Sequence, residues 1–205
     1  MAAPPHPRST REKLLDAALA TIRARGYAAT TVEEICAAAG VTKGAFFHHF
    51  RNKEDLGVAA ADHWSATTSD YFRTADFHRH ADPLDRILGY VDLRRQLVRG
   101  ALADFTCLVG TMAQEVYQSH PAIRDACGRS ISAHAATLEA DMEAAIAARA
   151  PDCNVTAKSL ALHTQAVIQG AFILAKATGD VATAADQIDH LRRYLALLFS
   201  VPTGA

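Results

Sequence analysis

The sequence predicts an all-α protein, with a small N-terminal three-helix unit followed by a larger helical domain. Three observations carry this. Alanine is abundant among the 205 residues while glycine and proline number only 11 and 7, and alanine loses no side-chain entropy on entering a helix. Apolar positions recur at three- and four-residue spacing along most of the chain, the pattern of a helix with one buried face. Capping signals, a Ser, Thr or Asn followed three residues later by an acid, stand at the starts of the early stretches. Nothing after residue 51 alternates as a strand would, and no internal repeat is visible.

Residues 1–8 read as a Pro-rich arm. Ser9 with Glu12 forms the first capping box, opening a helix whose face is Leu14, Leu15, Ala18, Leu19 and Ile22. Gly26 stops it. Thr31 with Glu34 opens a second, short helix that runs through Ile35 to Ala39, and Gly40 ends that one. Thr42 caps a third, Lys43 to Phe50, and Asn52 a fourth, with Glu54 and Asp55 in its first turn, where the helix dipole favours acids. Longer helical stretches are expected at about 53–75, 83–101, 103–117, 121–149, 156–178 and 181–199, with breaks at His78–Pro83, His120–Pro121, Pro151–Asn154 and Gly179–Asp180.

Bulk composition bounds the function. No apolar run approaches the roughly 18 residues of a membrane span, and the start MAAPPHPRSTRE lacks the apolar core of a secretory signal. A cytoplasmic chain with no membrane partner is therefore expected. Cys36, Cys107, Cys127 and Cys153 show neither CxxC pairing nor metal-ligand spacing, so four free thiols are the expectation. Residues 1–56 hold eight Lys/Arg against six Asp/Glu, a net +2, and the remainder thirteen against sixteen, a net −3. That asymmetry is mild and permits a nucleic-acid partner for the N-terminal part. There is no nucleophile elbow, P-loop, dinucleotide glycine motif or HExxH helix, so neither an enzyme nor a cofactor is expected. His78 and His80, with Asp76 or Asp82, are the nearest thing to a metal site, and they read as a solvated loop.

The stretch from Thr30 to Leu56, TTVEEICAAAGVTKGAFFHHFRNKEDL, carries the most information. A helix of about eight residues, a glycine turn and a second short helix is the helix-turn-helix pattern. Its second helix enters the major groove N-terminal residues first, while the first helix braces across the backbone. Lys43 suits a guanine edge or a phosphate. Gly44 lets backbones approach closely, and His48, His49 and Lys53 supply donors for phosphates. Phe46 and Phe50 are expected to anchor the helix on Leu19, Ile22 and Ile35.

From Arg11 to Leu56 the chain closely resembles the TetR family of bacterial regulators. Gly26–Tyr27, Thr30–Thr31–Val32, Ile35, Ala39–Gly40–Val41, Lys43–Gly44, Phe46, Phe50 and Asn52–Lys53–Glu54 all fit that family's pattern. The resemblance implies an obligate homodimer, a palindromic double-stranded DNA operator, and repression relieved by a small-molecule inducer. It implies operator contacts at Thr31, Thr42, Lys43, Gly44, His48, His49 and Lys53, together with Phe47. At that last position the family usually has tyrosine, so a hydroxyl worth roughly 1 kcal/mol as a phosphate donor is missing. The corresponding domains are 1–52, arm and helix-turn-helix, and 53–205, helical ligand sensing and dimerisation.

Beyond residue 60 the expectations are less local. Ile188, Leu191, Tyr194, Leu195, Leu198 and Phe199 fall on one stripe, and Leu160, Val167, Ile168, Ala171, Phe172 and Ala175 on another, with Gly170 allowing close approach. Paired, they would form an intersubunit four-helix bundle. A sensing pocket is expected among Trp64, Tyr71, Phe72, Phe105, Met112, Tyr117, His163, Gln165, Gln169 and Phe172, for a partly apolar ligand. Cys107 and Lys176 lie in segments similar to those of TetR-type repressors that sense electrophiles or reactive chlorine. A lysine beside a thiol favours the reactive thiolate, so an oxidant-switched repressor is the alternative mode of release. A helical enzyme or an adaptor without DNA binding would leave Lys43, Gly44, His48 and His49 unexplained.

Overall fold

The computed structural model describes residues 8–149 and 154–199. Most of the proposed N-terminal arm, and Cys153 with the break at Pro151, lie outside the described residues. Among the described residues the regular structure is entirely helical: α1 (Thr10–Arg25), α2 (Val32–Ala39), α3 (Lys43–His49), α4 (Lys53–Arg73), a 3-10 turn (Asp76–Arg79), α5 (Pro83–Leu97), α6 (Leu102–Phe105), α7 (Leu108–Val116), α8 (Pro121–Ala136), α9 (Glu139–Arg149), α10 (Ala157–Thr178) and α11 (Val181–Leu198). No helix among them is long and apolar enough to cross a membrane.

Local chemistry sets the early boundaries. Ser9 and Glu12 form a reciprocal capping box on α1, as do Thr31 and Glu34 on α2. The Thr42 side chain accepts from the Ala45 N–H at 3.2 Å, and Asn52 Oδ1 accepts from the Asp55 N–H at 2.8 Å. Gly40 closes α2 with φ +65°, the left-handed region where a Cβ is penalised.

Two expected helices are each broken once. The stretch at 103–117 divides into α6 and α7 at Thr106–Cys107, where Thr106 is extended. The stretch at 121–149 divides into α8 and α9 at Thr137–Leu138. There the Thr137 hydroxyl donates to the His134 carbonyl at 2.7 Å, and Leu138 turns inward to 4 % exposure. The expected 83–101 helix ends at Leu97.

The chain forms two compact units that do not follow a single cut at residue 52. The first comprises residues 1–64 with 108–128, the second 65–107 with 129–205. In the first, Leu14, Leu15, Ile22, Ile35, Phe46 and Leu56 form a core around α1. Segment 108–128 belongs to it through Glu115 of α7, which accepts from the Ala28 N–H at 2.9 Å. It also belongs through Ile123 of α8, packed so closely on α4 that a Cβ on Gly57 would lie 2.8 Å from Ile123 Cδ1.

In the second unit, α10 and α11 pack along one another, with α5 against α11 and α9. Ion pairs tie these helices at their rims: Arg86 with Asp141 at 2.7 Å, Arg95 with Asp189 at 3.2 Å, and Arg192 with Asp92 at 2.7 Å.

Candidate functional site

Helix α3 is held from behind and open in front. Phe46 is fully buried and Phe50 nearly so, their rings 5.6 Å apart, with the Arg11 guanidinium 5.5 Å from the Phe50 ring. This inner edge fixes how the helix is presented. Thr42, Lys43, Gly44, Phe47 and His48 are exposed, and His49 is half-buried. Phe47 leaves 53 % of its surface in solvent, although its ring edge touches Phe46.

Gly44 has no conformational reason to be glycine. An added Cβ would meet only Thr42 Oγ1 at 3.8 Å, an ordinary contact, and its φ is not positive. Lys43 reaches back to Glu33 of α2 at 2.5 Å; that hydrogen bond and the carboxylate's charge raise its pKa. The pair is exposed, so a phosphate can exchange with Glu33 at little cost. The hydroxyls of Thr31 and Thr42 cap α2 and α3, which places both threonines at helix N-termini, where backbone N–H groups and the dipole favour an anion.

Lys53 departs from the expectation of a phosphate contact. Its ammonium turns inward and donates to the carbonyls of Tyr27 (2.8 Å), Ala28 (3.3 Å) and Thr30 (2.7 Å). It also lies 4.4 Å from the Tyr27 ring centroid. Burial lowers its pKa, partly offset by Glu115 and Glu34. The residue pins the turn after α1. Tyr27, held in the same place, has its phenol pushed up to about 12, first by burial and then by Glu54.

The residues expected to line one sensing pocket fall in both units. Trp64, Met112 and Tyr117 belong to the first unit. Trp64 lies under the Arg23 guanidinium at 5.3 Å, Met112 is core, and Tyr117 is 54 % exposed. In the second unit Tyr71 and His163 are exposed, the latter against the Tyr194 ring at 5.2 Å. Gln169 is half-buried and Lys176 exposed, while Cys107 is buried. His78 and His80 make no metal cluster. His78 Nε2 lies 3.0 Å from the Phe72 carbonyl, and no group of three or more potential ligands occurs among the described residues.

A different polar cluster occupies the interior of the second unit. Gln165 Nε2 donates to the Tyr90 hydroxyl at 2.9 Å, and that hydroxyl lies 2.9 Å from His134 Nε2. The His134 ring packs edge-on to Phe72, with centroids 4.9 Å apart. Burial, and then the charge of Arg94, push the imidazole down to about 4. Phe72, Tyr90 and His134 line a cavity of about 230 Å³ together with Ser69, Leu138 and Asp141. Of these, the sequence expectation contained only Phe72, with Gln165 beside it. Tyr90 and Arg94 lie on one stretch and His134 forty residues further on, with no local motif to join them, so the sequence alone does not mark them.

The expected dimerisation stripes face largely inward in this chain, with Tyr194 left exposed. Leu160, Ile168, Phe172, Ile188, Leu191 and Leu195 are buried within this chain, and Leu198 is half-buried. They hold α10 and α11 to the rest of their own unit. The apolar residues left exposed on these helices are Leu162, Ile173, Leu174, Tyr194 and Leu197.

A helical unit presenting the short exposed helix α3 behind α2, and a second helical unit with a cavity, fit the class of helix-turn-helix regulators with a sensing part. The comparisons agree. Residues 14–60 match the family model for bacterial regulatory proteins of the tetR family, and residues 83–191 that for the tetracyclin repressor-like C-terminal domain. The chain belongs to the TetR family. It is 30 % identical over 105 residues to the transcriptional regulator AcuR of Cereibacter sphaeroides, covering 51 % of this chain and 48 % of AcuR. It is 37 % identical over 75 residues to TtgR of Pseudomonas putida, covering 37 % and 36 %. The chain thus spans about half or less of the length of these curated relatives. Among solved structures, a TetR regulator from Chloroflexus aurantiacus superposes with TM-score 0.75 at 26 % identity, covering 91 % of this chain and 94 % of its own. The reduced form of Escherichia coli NemR superposes with TM-score 0.79 at 22 % identity, covering 96 % and 100 %, which shows a shared fold.

Proposed function

We propose that the chain is a homodimeric transcriptional regulator, acting in the cytoplasm as a repressor, whose α3 reads a palindromic operator and whose grip a small molecule in the second unit releases. The observation that carries this is the open edge of α3. Lys43, Phe47 and His48 stand exposed on a helix locked from behind by Phe46 and Phe50. Beside them is a glycine that nothing inside the protein requires. Major-groove entry explains all of these: Lys43 for a guanine edge or phosphate, Phe47 for a thymine methyl or sugar, His48 and His49 for phosphates, and Gly44 for close approach. Thr31 and Thr42 supply helix N-termini for phosphates on either side.

Dimerisation is assigned to the outer face of α10 and α11. Leu162 and Ile173, eleven residues apart, lie on one face of α10, and Tyr194 and Leu197 on one face of α11. These large exposed apolar side chains are the ones a partner copy would cover. Replacing Leu197 with Glu should move the mass in solution from a dimer to the single 22.0 kDa chain; a dimer that withstands both Leu197→Glu and Ile173→Glu rejects this face.

The operator reading is tested by a mobility shift with the DNA upstream of the chain's own gene. Specific binding that weakens steeply with salt is expected. Binding that does not distinguish this DNA from unrelated fragments would sink it. Release through Cys107 has less support: the thiol is buried, while Lys176 is exposed. Hypochlorite should therefore leave the operator complex as intact in the native chain as in Cys107→Ser.

A further inference from the structure

We propose that Arg94 and the aromatic side chains around it bind a small organic anion, a carboxylate carried on an apolar or aromatic body, and that this anion is the effector of the second unit. The inference rests on the regulator reading above and names the ligand class for its sensing part. Arg94 is set apart from its neighbours by charge balance. Arg86, Arg95 and Arg192 each reach an aspartate on another helix, and Arg73 and Arg79 reach one on their own segment. Arg94 is half-buried, and its contacts are with rings. Its guanidinium lies 5.3 Å from the Phe72 centroid and 5.6 Å from that of Phe172. Phe105 extends this wall, 5.7 Å from Phe172.

The groups beside it supply no counter-charge. Tyr90, one turn earlier on α5, is wholly buried and hydrogen-bonded as a neutral phenol between Gln165 and His134. His134 is neutral at physiological pH. Asp141, on the wall of the adjoining cavity, is paired with Arg86. The cluster of Arg94, Tyr90, His134 and the phenylalanines thus carries one uncompensated positive charge inside an apolar surround, complementary to a monovalent anion. A guanidinium is the side chain whose fork matches a carboxylate in two parallel hydrogen bonds. Phe72 and Tyr90, which flank Arg94, also line the 230 Å³ cavity that offers room for the ligand's body. That volume is below the usual range for drug-sized ligands and suits a small one. A second polar irregularity lies nearby in sequence: the hydroxyl of Thr106, next to Phe105, is fully buried and has no hydrogen-bond partner among the described residues. Buried hydroxyls are almost always matched, so an unmatched one next in sequence to Phe105 is an exception.

The test is calorimetric titration of the full chain with benzoate and butyrate, each beside its neutral amide, benzamide and butyramide. At least one carboxylate should bind about tenfold or more tightly than its amide. Arg94→Met, which keeps the stem and drops the charge, should remove that preference, and Arg94→Lys should keep part of it. Equal affinity for acid and amide, no carboxylate binding up to about 10 mM, or an undiminished preference in Arg94→Met would overturn the proposal. Thermal melting of both variants confirms that they are folded. Operator binding is measured on the same samples without ligand, so failure of the anion site is distinguishable from failure of the regulator reading.

Discussion

The Tyr90 hydroxyl lies 2.9 Å from Nε2 of His134, and because the same hydroxyl accepts from Gln165, its one proton is directed at the imidazole. His134 is therefore a neutral acceptor, with its pKa pushed down to about 4, by burial first and by the charge of Arg94 second.

That contact has a consequence for stability against pH. In the unfolded chain this histidine titrates near 6.5. Between about 4 and 6.5 the unfolded state binds more protons than the folded state, so stability rises with pH across that window and falls as the solution is acidified. The full span is on the order of 3 kcal/mol. Urea midpoints should drop between about pH 7.5 and pH 5, and His134→Gln, which still accepts from Tyr90, should flatten the dependence. An unchanged slope in the variant would place the titrating group elsewhere.

Lys43 and Lys53 are ten residues apart and should behave in opposite ways. Lys53 donates to three carbonyls of the turn after α1. Lys53→Met should destabilise the chain by about 2 kcal/mol, since those acceptors lose a shared charged donor. Lys43 has one exposed partner. Lys43→Ala should leave melting nearly unchanged, weaken operator binding, and reduce the slope of log affinity against log salt by about 1. Equal melting losses in the two variants would refute the division of roles.

What was legible in the sequence was chemistry confined to a few neighbouring residues. The boxes Ser9–Glu12 and Thr31–Glu34 and the Gly40 turn are read directly, because capping acts over three residues. The breaks at Thr106 and Thr137 are not, since apolar periodicity runs through both. One is set by a hydroxyl bonding to its own helix and by Leu138 turning inward. The stripes on α10 and α11 were real, but a 3.6-residue period does not say which of two apolar faces meets the chain's own core. Leu160 and Ile188 do so, while Leu162 and Leu197, on neither expected stripe, are left outside. Lys53 looked like any basic residue flanking a recognition helix; only the three-dimensional position of the Tyr27–Thr30 carbonyls turns it inward. The cluster of Arg94, Tyr90, His134 and Gln165 draws on α5, α8 and α10, and no spacing in the chain announces it.

Thr106 gives a test with an unusual sign. Its hydroxyl is buried without a partner among the described residues, so the folded state carries a desolvation cost that a methyl group would not. Thr106→Val conserves shape and should be neutral or stabilising by about 1 kcal/mol, where most buried substitutions destabilise. A clear loss of melting temperature would show that the hydroxyl is satisfied in solution.

Gly44 separates the demands of folding from those of DNA. Within an exposed helix, glycine costs about 1 kcal/mol relative to alanine, and here the Cβ of alanine would meet nothing closer than Thr42 Oγ1 at 3.8 Å. Folding alone therefore favours alanine. Gly44→Ala should melt at or above the native temperature. If α3 enters the major groove by its N-terminal end, the added methyl group lands where a phosphate or base edge approaches the backbone, and operator affinity should fall by about tenfold or more, a loss of at least 1.4 kcal/mol. The two measurements must diverge for the assignment to stand: a variant that gains stability and keeps full operator affinity would mean that this face of α3 does not lie against DNA.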